Sequence, residues 1–144
     1  IFRKTARDKG AGAAAFLSSV RETARDLESS SDPTLKAMKA PLTDAADALD
    51  EAVKWVVDNA GAPSAVAAAA YPYLELVGTV AGGWMMARSA LAASTAEGLD
   101  SEFKEGKIAT ARFYASTFLP KARGLVPSIV SGHDAITDVP EASF

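Results

Sequence analysis

Residues 35–56 read LKAMKAPLTDAADALDEAVKWV. Apolar side chains fall at Leu35, Met38, Leu42, Ala45, Leu49, Ala52 and Val56, at alternating intervals of three and four. That spacing places them on one side of a helix, and such a seam is what one helix of a bundle offers another. A strand would need alternation at every second residue, and no stretch of the chain sustains it. Just upstream, Asp32 is placed to cap this helix and Pro33 to be its first residue. Pro41 interrupts the seam. Proline lacks the amide proton and crowds the carbonyl four residues back, so a kink or short break is expected there. Asp58-Asn59-Ala60-Gly61 reads as the helix end, with Gly61 as its cap and Pro63 beyond.

The same period extends outward in both directions. Toward the start, Phe16, Leu17, Val20, Ala24 and Leu27 form a stripe opposite Arg21, Glu22, Arg25 and Asp26, and Ser29-Ser30-Ser31 ends it. Toward the end, a long third helix is expected over about Ser64–Glu97, marked by Tyr73, Val77, Val80, Trp84, Ala87 and Leu91, with Pro72 bending or dividing it. Asn59–Ala87 holds a single charge, Glu75, which suggests a buried central helix. A carboxylate and two prolines argue against a membrane span. Asp100 or Ser101 caps a fourth helix whose seam runs Ile108, Ala111, Ala115, Phe118, Ala122, Leu125 and Ile129. Pro120 and Pro127 sit inside that seam, Gly132 should close it, and His133–Phe144 reads as an extended tail. The expected fold is all-α: an antiparallel bundle of about four helices with proline kinks.

Composition narrows the function classes. A chain of 144 residues suggests one domain, and with no cysteine it has neither a disulfide framework, a cysteine metal site nor a cysteine nucleophile. His133 is the sole histidine, so no imidazole cluster exists. A net charge of -3 is no footprint for nucleic acid. No signal-type apolar segment follows the basic start, so a cytoplasmic location is expected. Ile1 in place of an initiator methionine reads as the start of a processed or excised piece.

Each candidate constellation has a structural explanation. Gly10-Ala11-Gly12-Ala13-Ala14-Ala15 fits the dinucleotide pattern G-x-G-x-x-A, but that motif needs a preceding strand, and Arg3–Lys9 reads as the end of a helix. Gly78 and Gly82 are four apart and share a helix face, which with Gly83 predicts a close crossing of another backbone. Asp44, Asp47, Asp50 and Glu51 lie off the Leu42–Leu49 seam and read as a solvated face; no Glu-x-x-His partner joins them as a di-metal bundle requires. Glu75 is expected at a solvent edge or paired with a cation inside the bundle. Ser18, Ser19 and Ser89 have no histidine with a local signature nearby, and His133 reads as a surface residue. The expected catalytic, cofactor-binding and metal-binding residues are therefore none.

Several segments do resemble a known family. Phe2-Arg3-Lys4 followed by Arg7-Asp8-Lys9-Gly10 resembles the last turn of the catalytic core of acyl-CoA dehydrogenases. Val80–Met85 with Ala87-Arg88, then Gly106–Tyr114 and Phe118-Leu119-Pro120, resemble helices of the additional C-terminal domain of long-form members, the methylthiopropanoyl-CoA dehydrogenase-like group. Glu141-Ala142-Ser143-Phe144 resembles the usual end of such chains. The resemblance implies residues 1–10 as the end of the core and 11–144 as the extra domain. It implies a parent that binds FAD and makes the α,β-double bond of an acyl-CoA in fatty-acid β-oxidation, and that assembles as a homodimer or tetramer. This piece, lacking the flavin-binding strands and the catalytic glutamate, is expected to be inactive alone and to serve structure and assembly. The other reading is a free-standing helical interaction module.

The opening residues carry Arg3, Lys4, Arg7 and Lys9 and have no partner among themselves, so they are expected to be poorly ordered or artificially exposed without the core, and a docked helix with it.

Overall fold

The computed structural model describes residues 2–137, apart from the side chains of Phe2, Ala135 and Thr137. Among the described residues there are nine helices and no strand: α1 (Phe2–Arg7), α2 (Ala11–Ser29), α3 (Pro33–Ala37), α4 (Lys39–Asp58), α5 (Pro63–Ala68), α6 (Ala70–Thr95), α7 (Ser101–Thr117), α8 (Lys121–Val130) and α9 (Gly132–Thr137). The fold is all-helical.

Local chemistry sets the boundaries. The Asp32 side chain accepts a hydrogen bond from the Thr34 amide at 2.7 Å, with Pro33 opening α3. Asp100 accepts from the amides of Glu102 at 2.9 Å and Phe103 at 3.2 Å, capping α7. The prolines act one turn earlier than expected. Pro41 is the third residue of α4 and Pro72 the third of α6. A proline there loses an amide that a first turn leaves unpaired anyway. The carbonyls those amides would have met belong to Ala37 and Ala68, and each is the last residue of the preceding short helix. The interruptions are single residues, Met38 and Ala69, both with right-handed helical angles. Pro120 caps α8, and Pro127 lies inside it.

Three boundary expectations are corrected. Gly61 is not the cap of α4: Asn59 is, with its amide bonded to the Trp55 carbonyl at 3.0 Å, and Gly61 is not among the positive-φ residues. Gly132 opens a helix rather than closing one, and residues up to Thr137 are helical rather than an extended tail. The rest of the expected tail, 138–144, lies outside the described residues.

Helices α4 and α6 share the centre of the packing. On α4, Leu42, Ala45, Ala46, Ala48, Leu49, Ala52, Val53 and Val56 are all buried. Helices α2, α6 and α8 pack around α4, and α6 also packs on α7 and α8. Leu17, Val20 and Leu27 from α2, Tyr73, Leu76 and Val80 from α6, with Leu119 and Ile129, complete the core. Helix α6 is covered on one side only: Tyr71, Leu74 and Met85 are 76%, 52% and 50% exposed. A helix that is apolar all round looks the same in sequence whether one flank or all of its surface is covered, which is why it read as buried.

The basic start does have a dock. Helix α1 packs on α4 and α6, with Thr5 buried. The Thr5 and Tyr73 hydroxyls share a hydrogen bond at 3.2 Å.

Candidate functional site

The turn between α1 and α2 holds the glycine-rich motif. Lys9 and Gly10 both take positive φ, 53° and 81°, and Gly10 is additionally confined because a Cβ there would sit 3.2 Å from Val53 Cγ1. The Gly10 amide donates to Asp8 Oδ1 at 3.1 Å, and the Gly12 amide donates to Asp8 Oδ2 at 3.3 Å. The amides that a pyrophosphate would need are thus satisfied by a carboxylate, and a helix precedes them instead of a strand. These residues do not fit a flavin or nicotinamide dinucleotide.

The acidic side chains of α4 lie at the surface but are clamped from both sides. Arg21 from α2 donates to Asp47 at 3.0 Å and lies 3.7 Å from Asp50. Arg123 from α8 donates to Glu51 at 2.9 Å, to Asp44 Oδ1 at 3.2 Å and to the Asp44 carbonyl at 3.3 Å. Lys54 donates to Asp50 at 2.9 Å. The expected solvated face is therefore a strapped one, and among the described residues no group of acids or imidazole could hold a metal ion. Glu75 is exposed, as are Glu97, Glu105, Ser18 and Ser89. Ser19 donates to the Ala15 carbonyl at 3.4 Å. His133 is half-buried, 2.9 Å from the Asp134 carboxylate, its ring 6.1 Å from that of Trp55.

Three polar contacts were not anticipated from the sequence. Trp84 Nε1 donates to Thr23 Oγ1 at 3.0 Å, and Thr23 donates to the Ser19 carbonyl at 3.1 Å. Phe16 meets the Trp84 ring edge-on, and the Arg88 guanidinium lies over its face, 4.9 Å from the centroid. Tyr114 lies against Gly82 and donates to the Thr79 carbonyl at 3.2 Å. A Cβ on Gly82 would lie 2.8 Å from Tyr114 Cζ; on Gly83 it would lie 3.0 Å from Leu119 Cδ1 and Cγ. Around Gly78 there is open space. The close approach thus involves Gly82 and Gly83, filled by side chains, and not the Gly78–Gly82 pair. Burial raises the Tyr114 hydroxyl pKa. Burial likewise raises that of Tyr73; its bond to Thr5 opposes this, and the Asp8 charge adds to it. No sequence pattern announces these pairs, because Thr5–Tyr73 and Thr23–Trp84 lie 68 and 61 residues apart.

A cleft of about 240 Å³ opens between α1, α2 and α6, walled by Ala13, Phe16, Tyr73 and Val77, with Lys4 and Asp8 among its polar lining. It is an apolar recess with a charged lip, and it brings no nucleophile and base together. No helix among the described residues is long and apolar enough to cross a membrane.

Comparison with known proteins supplies what this geometry cannot. Residues 10–140 match the family described as acetyl-CoA dehydrogenase C-terminal like. A protein named 3-methylmercaptopropionyl-CoA dehydrogenase, from Ruegeria pomeroyi, is 32% identical over 139 residues. That alignment covers 94% of this chain and 22% of the relative, so the chain spans about a fifth of the length of the enzyme it resembles. This chain, matched over residues 10–140 and helical throughout its described elements, belongs to the C-terminal domains of the acyl-CoA dehydrogenase family.

Proposed function

We propose that this chain is the C-terminal structural and assembly portion of an FAD-dependent acyl-CoA dehydrogenase. The observation that carries the reading is the family match over residues 10–140 together with the much longer relative. In such a parent the rest of the chain would hold the flavin, which would supply the redox chemistry, and would also supply the base and hold the thioester. No residue of this chain is assigned a catalytic role. Residues 1–10 are the end of the core and 11–144 the added domain, with the long helices forming an antiparallel bundle bent near its prolines. The parent is a cytoplasmic homodimer or tetramer. Its substrate is an acyl-CoA. The sulfur-containing thioester in the relative's name is the first to try, and straight-chain thioesters of β-oxidation the second.

The test uses two preparations: this chain alone, refolded with FAD, and the full protein encoded around it. The expected result is flavin absorbance and acyl-CoA-dependent dye reduction in the full protein and neither in the chain alone. Near-stoichiometric flavin on the chain alone, or a full protein without flavin, overturns the reading.

A further inference from the structure

Tyr71, Leu74, Gly78, Ala81 and Met85 follow one another along α6 at intervals of three and four, and all but Ala81 are exposed. This is a seam of the kind helices use against helices, yet nothing in the described chain covers it. Gly78, midway along, has no atom within 4 Å of the place a side chain would occupy. A mid-helix glycine is a cost to this chain by itself, and open space there suits the close approach of another backbone. The 240 Å³ cleft lies on the same flank, since its wall residue Val77 is within one turn of both Leu74 and Ala81. The edge carries Asp8, whose carboxylate already accepts from the Gly10 and Gly12 amides, and two cations. Lys4 lines the cleft, Arg88 follows Met85 by one turn, and neither joins an ion pair among the described residues.

We infer that the α6 seam and the adjoining cleft receive an amphipathic helix from the remainder of the parent chain. That helix carries an apolar stripe with one large apolar side chain filling the cleft, and acidic side chains along the edge that meets Lys4 and Arg88. The inference rests on the reading of this chain as part of a longer dehydrogenase, whose relative has over three-quarters of its length outside the matched region.

The chain has no cysteine, so one introduced thiol is a clean probe. Met85→Cys reports on the seam, and Ala40→Cys, an exposed position on α4, is the reference. Alkylation rates are read site by site by mass spectrometry, in this chain alone and in the full protein. Met85→Cys should react at least tenfold more slowly in the full protein, while Ala40→Cys changes less than twofold. Adding Lys4→Glu with Arg88→Glu should return most of the lost reactivity. Equal Met85→Cys rates in the two preparations overturn the inference. So does protection in the chain alone that grows with concentration, which would assign the seam to a second copy. Protection that survives the double charge reversal overturns the acidic edge. Flavin absorbance of the same full protein separates the two readings. Flavin with an unprotected seam defeats the docking inference alone, and a protected seam without flavin defeats the dehydrogenase reading alone.

Discussion

Two glycines five residues apart on α6 have opposite environments, and the same substitution should move stability in opposite directions. Gly78→Ala meets open space, so only the backbone gain remains, about 0.8–1.0 kcal/mol. Gly83→Ala drives a methyl into the side chain of Leu119, which is itself buried in the core. Overpacking of that kind costs about 1–3 kcal/mol, more than the backbone gain returns. Thermal melts of the isolated chain should show Gly78→Ala raised by roughly 4 °C and Gly83→Ala lowered. Matching shifts of one sign would remove the contact argument. None of this contrast was legible in the sequence, where Gly78 and Gly82 looked like the pair. A spacing of four gives a shared face but not what lies opposite, and Tyr114 and Leu119 come from beyond the next turn.

At the scale of elements, the caps at Asp32 and Asp100 were legible, while the ends assigned to Gly61 and Gly132, and the coverage, were not. Asp32 and Asp100 cap because a carboxylate two or three residues ahead of an unpaired amide needs no tertiary partner. Interruptions stand one turn ahead of Pro41 and Pro72, as the carbonyl four residues back requires, whereas Pro127 lies within a continuous helix. The exposed flank of α6 and the docking of α1 on α4 and α6 depended on neighbours that no local pattern encodes. The straps on α4 show how little a visible interaction can contribute. Arg123 has a side chain 43% exposed and pairs with acids more exposed still, so screening and side-chain entropy leave its bridges worth about 0–1 kcal/mol. Leu42, fully buried on the same helix, should cost about 2–5 kcal/mol on truncation. Denaturant titration of Arg123→Gln and Leu42→Ala should rank them in that order, and a larger loss for Arg123→Gln would show that the straps and not the seam hold α8 to α4.

For the molecule as a whole, the bond between Thr5 and Tyr73 links the N-terminal helix to the long helix that carries the exposed seam. Burial raises the Tyr73 pKa above its ordinary value of 10.0. The folded state therefore keeps its proton at pH values where the unfolded chain has released one. The sign follows: this contribution is intact below pH 10.0 and is lost as pH climbs through the raised folded value. Tyr73→Phe should cost about 0.5–1.5 kcal/mol at neutral pH and fall less steeply in alkaline solution. Parallel pH–stability curves for the two proteins would rule Tyr73 out as a source of that slope. The single-residue interruptions at Met38 and Ala69 reach further than helix bookkeeping. The five residues of α3 and six of α5 are each joined to a long helix across a place where proline has removed a rung of the ladder. The amides of these short helices are therefore expected to exchange sooner than those of α4 and α6, with the prolines marking where one rate gives way to the other.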